Sequence, residues 1–174
     1  INAQNTFGFG EPAGGERVKV LVVVAHPHGD SLTQAAAAAA VRGCTTAGHD
    51  VTTLDLYALG FRPAMSLEER RAYETDEPLI ESMTAEHAAL VQASQMLVFV
   101  YPTWWGGLPA IMKGWLERVL VPGVAFVFDD AGKVRPGLKH VRRIVGISTY
   151  GSPWTVVKAL QDGGRRTLLR ALRM

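Results

Sequence analysis

The sequence predicts an α/β domain built on a doubly wound parallel sheet, and three observations carry that prediction. Residues 18–25 (VKVLVVVA), 96–101 (MLVFVY) and 143–149 (RIVGIST) are short, continuous, β-branched apolar runs, as expected of strands covered on both faces. Stretches with helical spacing separate them, which gives the alternation of a βαβ chain. The chain has 174 residues, 48% of them hydrophobic and 20% charged, enough for one domain with a full core and too few for two.

Taken in order, residues 1–16 are Gly-rich and aperiodic and are expected to form a flexible tail, leaving 17–174 as the domain. After the first strand, Gly29, Asp30 and Ser31 supply a turn and a helix N-cap. An alanine-dense helix runs over 32–47, ended by Gly48, and small side chains let it pack closely on a sheet. Residues 50–55 (DVTTLD) read as a second strand, and 56–78 as an irregular acidic excursion without a clean period. Leu79, Ile80, Met83, His87, Leu90 and Val91 follow helical spacing. So do Leu108, Ile111, Met112, Trp115, Leu116 and Val119, with Pro109 suited to the first turn. Residues 125–134 (AFVFDDAGKV) predict a small hairpin, and a last helix runs from Pro153 past Leu168, broken or bent near Gly163 and Gly164.

Composition narrows the function classes. The single cysteine, Cys44, excludes an internal disulfide framework and fits a reducing, cytoplasmic setting. No apolar run reaches bilayer length, so membrane insertion is not expected, and the residues before the first strand do not form a signal peptide. The net charge of +2 hides an acidic excursion and a basic end, where nine Lys and Arg face one Asp from Arg135 onward. Without interleaved aromatics or a nucleic-acid motif, that end reads as a solvated helix face, and no nucleic-acid partner is expected.

In a doubly wound sheet ligands bind beyond the carboxyl ends of the strands, and three segments leave those ends. The first, His26-Pro27-His28-Gly29-Asp30-Ser31, has two functional readings. Its H-x-H-x-D pattern resembles the first ligand cluster of metallo-β-lactamases, and A-H-P that of zinc deacetylases, so a zinc hydrolase is one alternative. His49, His87 and His140 form no second cluster, however, and no metal is expected. The other reading is an anion loop, with the Ser31 and Thr33 hydroxyls and the free N–H groups of the helix as donors; a plain capped helix needs the same residues. The second segment, 101–109 (YPTWWGGLP), is more specific. Trp104 and Trp105 cannot both enter one core, whereas they make a flat wall for a planar ring, with Gly106 and Gly107 allowing close backbone approach. The third is Ser148 to Pro153.

AHPHGDSLTQA, FVYPTWWGGLPAIMKGWLERVL and ISTYGSPW, in this order and spacing, resemble the flavodoxin-like NAD(P)H:quinone oxidoreductases, whose relatives include FMN azoreductases and ancillary subunits of potassium-efflux systems. The resemblance implies a flavodoxin-like sheet of order 2-1-3-4-5, a flavin (FAD, or alternatively FMN), NAD(P)H as co-substrate and a quinone-like acceptor reduced by two-electron hydride transfer with ping-pong turnover. It also implies a homodimer with active sites at the interface. An ancillary, flavin-bound transporter subunit is the alternative function. Carried over by motif, His26 and Ser31-Leu32-Thr33 contact the flavin's phosphate portion. Pro102, Thr103, Trp104, Trp105 and Gly106 line the isoalloxazine, and Ser148, Thr149, Tyr150 and Gly151 complete its polar edge. Ala125, Phe126 and Val127 fall where the nicotinamide or quinone packs. Animal members carry two glycines where this chain has Tyr150-Gly151, and a Tyr and a His soon after for proton relay; Tyr150 is therefore the candidate proton donor. The expected fifth strand is missing from 17–174, so the domain is expected to be C-terminally incomplete or to have a partner covering its fourth strand.

Overall fold

The computed structural model describes residues 16–170 and 172, and the backbone of 2–9. The main sheet joins β1 (Asn2–Phe9), β7 (Arg143–Tyr150), β4 (Met96–Pro102), β2 (Lys19–Val24) and β3 (Asp50–Asp55) in that spatial order. β3, β2, β4 and β7 are parallel, with Val22 opposite Val98 and Val98 opposite Val145. In sequence order of the parallel strands this is 2-1-3-4, as the fold class requires.

Alternation along β2 builds a core on each face. Val20, Val22 and Val24 pack with Val98 and Val100 beneath Ala36 and Ala37 of α1 (Leu32–Thr46). Leu21 and Val23 pack with Leu97, Phe99 and Tyr101 against α3 (Ser82–Ala93), α4 (Ala110–Val119) and Leu168 of α6 (Gly163–Arg170). Ser31 caps α1, its hydroxyl accepting from Gln34 N–H at 3.2 Å, and Gly48 takes a left-handed φ of 85° just past the end. The predicted hairpin forms as β5 (Phe126–Phe128) and β6 (Val134–Pro136).

Two expectations are corrected. Residues 2–9, read as tail, form β1, which runs antiparallel along β7 from Asn5 opposite Ser148 to Phe9 opposite Ile144. Backbone pairing needs no apolar pattern, and the exposed edge of β7 offers a row of unpaired N–H and C=O groups. The fifth position is thus filled by the chain's own first segment; residues 1 and 10–15 of the expected tail lie outside the described residues. The excursion contains α2 (Leu67–Ala72), held by a capping box in which Ser66 and Glu69 bond each other's backbone N–H. Its signal, Ser66-Leu67-Glu68-Glu69, stands in the sequence. The last helix is broken rather than bent, into α5 (Trp154–Ala159) and α6, parted where Gln161 and Asp162 take φ of 60° and 44° just before Gly163.

Candidate active site

The three segments at the carboxyl ends of β2, β4 and β7 meet around one open cavity of about 620 Å³. His26, Leu32, Thr33, Pro102, Thr103, Trp104, Trp105, Thr149, Tyr150 and Gly151 all line it. An adjoining cavity of about 260 Å³ shares Thr103, Trp105, Tyr150 and Gly151 and adds Gly106 and Asp162.

Side chains stitch the segments pairwise. Thr33 Oγ1 and Thr149 Oγ1 lie 3.1 Å apart, joining the first to the third. Thr103 Oγ1 and Ser148 Oγ, 2.7 Å apart, join the second to the third, reinforced by Thr103 N–H donating to Thr149 O at 2.8 Å. The His26 ring lies against Trp104, centroids 6.0 Å apart, joining the first to the second. Ser31 and Ser148 do not line the cavity: the Ser31 oxygen accepts the helix-cap bond, and Ser148 is fully buried.

The tryptophan pair takes a specific form. Trp104 N–H donates to Gly107 O at 3.2 Å and Gly107 N–H to Trp104 O at 3.0 Å, while Trp105 and Gly106 have φ of 51° and 71°. Reciprocal bonds around two left-handed residues make a type I′ turn, which favours Asn or Gly at both centres. Trp105 occupies one of them with its side chain fully exposed, so its own packing does not hold it there. Such strain without local return is a mark of functional sites.

The first segment offers donors. Gln34 N–H is used by Ser31, and Ala35 N–H by the Ser31 carbonyl, which leaves Leu32 and Thr33 N–H without a partner among the described residues. They sit at the positive end of α1, suited to an anionic group.

Tyr150 departs from its expected role. Its hydroxyl donates to Asp162 Oδ2 at 2.8 Å, and burial together with that carboxylate pushes its pKa up to about 12. As an acid at neutral pH it is poorly placed, because its proton is aimed into the protein. Next to it the Tyr101 hydroxyl is buried without a hydrogen-bond partner, and burial drives its pKa strongly upward. Sequence reasoning missed Asp162 and the lining residue Ser152; Asp162 carried no signal beyond its place before two glycines.

Ala125, Phe126 and Val127 do not line this cavity. They lead into the β5–β6 hairpin, and Val127 borders a different hollow of about 480 Å³ with Tyr73 and Pro122. His87 is a core residue: its Nδ1 accepts from Trp115 Nε1 at 3.2 Å, its ring stacks on Phe61, and burial lowers its pKa. Among the described residues no three His, Cys, Asp or Glu side chains converge to hold a metal ion, and no helix is long and apolar enough to cross a membrane.

A parallel sheet of this order, with an aromatic turn, a free helix N-terminus and a hydroxyl rim at its carboxyl edge, defines the flavodoxin-like class of α/β proteins. A family model described as the flavodoxin-like fold matches residues 18–173. The chain is 32% identical over 167 residues to ribosyldihydronicotinamide dehydrogenase [quinone] of Rattus norvegicus, covering 87% of this chain and 71% of that protein. It is 30% identical over 149 residues to NAD(P)H dehydrogenase [quinone] 1 of the same organism, covering 77% of this chain but only 54% of that protein. Among solved structures, the NAD(P)H:quinone oxidoreductase from Methanothermobacter marburgensis aligns with a TM-score of 0.70 at 25% identity, over 88% of this chain and 75% of that one. The chain belongs to the flavodoxin-like NAD(P)H:quinone oxidoreductase family.

Proposed function

We propose that the 620 Å³ cavity binds a flavin, FAD or FMN, and that the protein is an NAD(P)H oxidoreductase reducing quinones or similar small electrophiles. The observation that carries this reading is the joining of all three strand-end segments around a single cavity whose donors and flat surfaces suit such a group. The unpartnered N–H groups of Leu32 and Thr33, beside His26, suit its phosphate. The Trp104–Gly107 turn gives its ring a wall, and Thr149, Tyr150 and Gly151 give a polar rim for the ring's carbonyl edge. Bound there, a flavin supplies two-electron transfer between a nicotinamide and an acceptor.

The chain's own part is to position and to exclude. The Thr103–Ser148 and Thr33–Thr149 contacts fix the rim, so its dipoles are aimed before any charge develops. Trp104 and Trp105 keep water from one side of the ring plane. Nicotinamide and acceptor then use the open side in turn, which is ping-pong turnover. Since Ala125, Phe126 and Val127 lie away from this cavity within one chain, their contact with an acceptor requires a second copy, and the homodimer is part of the proposal. The exposed Trp105, Trp154 and Leu160 support it.

The test is reconstitution with FAD and with FMN, followed by absorbance, then steady-state NAD(P)H oxidation with a quinone. The expected result is a bound yellow cofactor and turnover well above that of free flavin. A protein that retains neither flavin overturns the reading. Bound flavin with turnover no faster than free flavin instead favours an ancillary subunit.

A further inference from the structure

The junction between α5 and α6 holds groups that the proposed reaction leaves unused. Gln161 and Asp162 are consecutive non-glycine residues in left-handed backbone, at φ of 60° and 44°, a state that persists only where surrounding bonds over-determine it. Within the junction, Gln161 N–H donates to Lys158 O at 3.1 Å, Asp162 N–H to Val157 O at 3.3 Å, and Arg165 N–H to Asp162 Oδ1 at 3.3 Å. Arg166 N–H also donates to Asp162 O at 3.1 Å and its guanidinium bonds Gln161 Oε1, while two further bonds leave the junction and reach residues that line the cavities. Asp162 Oδ2 accepts the Tyr150 hydroxyl at 2.8 Å, and Gly163 N–H donates to Gly106 O, inside the tryptophan turn, at 2.8 Å. The second contact is tight: a Cβ on Gly163 would stand 2.9 Å from that carbonyl oxygen. Asp162 is itself buried, so its carboxylate has little water to compete with the Tyr150 phenol.

We propose that Asp162 is a positioning residue of the flavin cavity: its carboxylate holds the Tyr150 ring in one wall, and its backbone sets Gly163 where it clamps the Trp104–Gly107 turn in the other. This rests on the flavin reading given above. It makes Tyr150 a fixed hydrogen-bonded wall, in accord with a phenol that keeps its proton to about pH 12. It also accounts for two strained places, Trp105 and Gln161–Asp162, lying at the two ends of one short linkage.

The test reads binding rather than turnover. The purified chain and its variants are titrated with FMN and FAD by fluorescence quenching, with thermal midpoints recorded beside each titration. Tyr150→Phe, which removes the bond and leaves the backbone alone, and Asp162→Ala should each weaken flavin binding about tenfold, the size of a lost hydrogen bond to a charged group. The double variant should be no weaker than the weaker single, since both remove one linkage. Asp162→Asn keeps an acceptor and tolerates left-handed backbone, and should bind close to wild type. Gly163→Ala should weaken binding through the other wall. Wild-type affinity in Asp162→Ala overturns the proposal, as do losses that multiply in the double variant. So does an Asp162→Asn loss as large as that of Asp162→Ala, because charge rather than placement would then be at work. A wild-type chain that binds neither flavin overturns the cavity's assignment instead, which separates the two failures.

Discussion

Helix α4 and the carboxyl edge of the sheet treat buried polar groups and backbone strain in opposite ways. Against α4, the buried Arg118 bonds Glu69 Oε1 at 2.8 Å, Glu81 Oε2 at 2.5 Å and the Arg62 carbonyl, and its guanidinium lies 5.1 Å over the Phe61 ring. Every one of those partners belongs to the acidic excursion or the start of α3, so a single arginine pairs two carboxylates at once and holds that segment to the helix. At the sheet edge the same chain leaves α1 N–H groups unpaired, orphans the Tyr101 hydroxyl, and holds Trp105, Gln161 and Asp162 in left-handed backbone. The contrast is between a region whose buried polar groups are satisfied and one that holds unpaired groups and strained backbone beside the proposed flavin cavity.

The largest effect should come from breaking the satisfied side. Arg118→Ala leaves Glu69 buried and unpaired, and should destabilise the fold by about 3–5 kcal/mol. Denaturant unfolding measures this. Under conditions where the variant is still folded, its flavin affinity should match wild type, because Arg118 touches neither cavity. A stable Arg118→Ala protein would remove the distinction.

Gly114→Ala attacks the same interface by shape alone. A Cβ there would stand 2.2 Å from the Pro63 carbonyl oxygen and 2.6 Å from its Cα. That neighbour is backbone, so the excursion must shift away from α4, at a cost of about 1–3 kcal/mol. Thermal unfolding should show the loss, again with flavin binding intact.

His87 sharpens the comparison through pH. It accepts from Trp115 Nε1, which only the neutral ring can do at Nδ1, and burial lowers its pKa below the ordinary 6.5. The unfolded chain therefore takes up this proton at a higher pH than the folded one. Stability from this group is complete above about pH 6.5 and falls as pH drops below it, by about 1.4 kcal/mol per pH unit until the folded pKa is reached. Urea titrations between pH 7 and 5 should show the slope in wild type and a shallower one in His87→Gln.

How much of this was legible in the sequence differs between the two regions for physical reasons. Strands with two buried faces announce themselves as continuous apolar runs, so 18–25, 96–101 and 143–149 sit within a residue or so of β2, β4 and β7. The cavity was equally legible, because loops that leave such strands must converge at one edge; His26, Thr33, Thr103, Trp104 and Thr149 all line it. What stayed hidden depends on contacts distant in sequence. β1 pairs through its backbone, which leaves no residue pattern to read. The Arg118–Glu69 pair spans 49 positions, and the Tyr150–Asp162 bond crosses a helix. Ala125, Phe126 and Val127 were placed by resemblance alone, and one chain does not carry them to the cavity.

The smallest expected change is also the one with opposite signs in the two properties. Trp105 is fully exposed and sits at the first centre of a type I′ turn, with Gly106 at the second. Asn-Gly is the favoured pair for that turn, because Asn tolerates left-handed backbone that strains a bulky side chain. Trp105→Asn removes no packing within the chain and relieves the strain, so it should stabilise the protein by up to about 1 kcal/mol. The same change removes part of the ring wall and should weaken flavin binding by roughly tenfold, the scale of one lost aromatic contact. A rise in thermal midpoint together with a fall in flavin affinity would show that the turn is strained for the ligand's sake. A variant that loses both stability and affinity would instead place Trp105 with the scaffold, alongside Arg118 and Gly114.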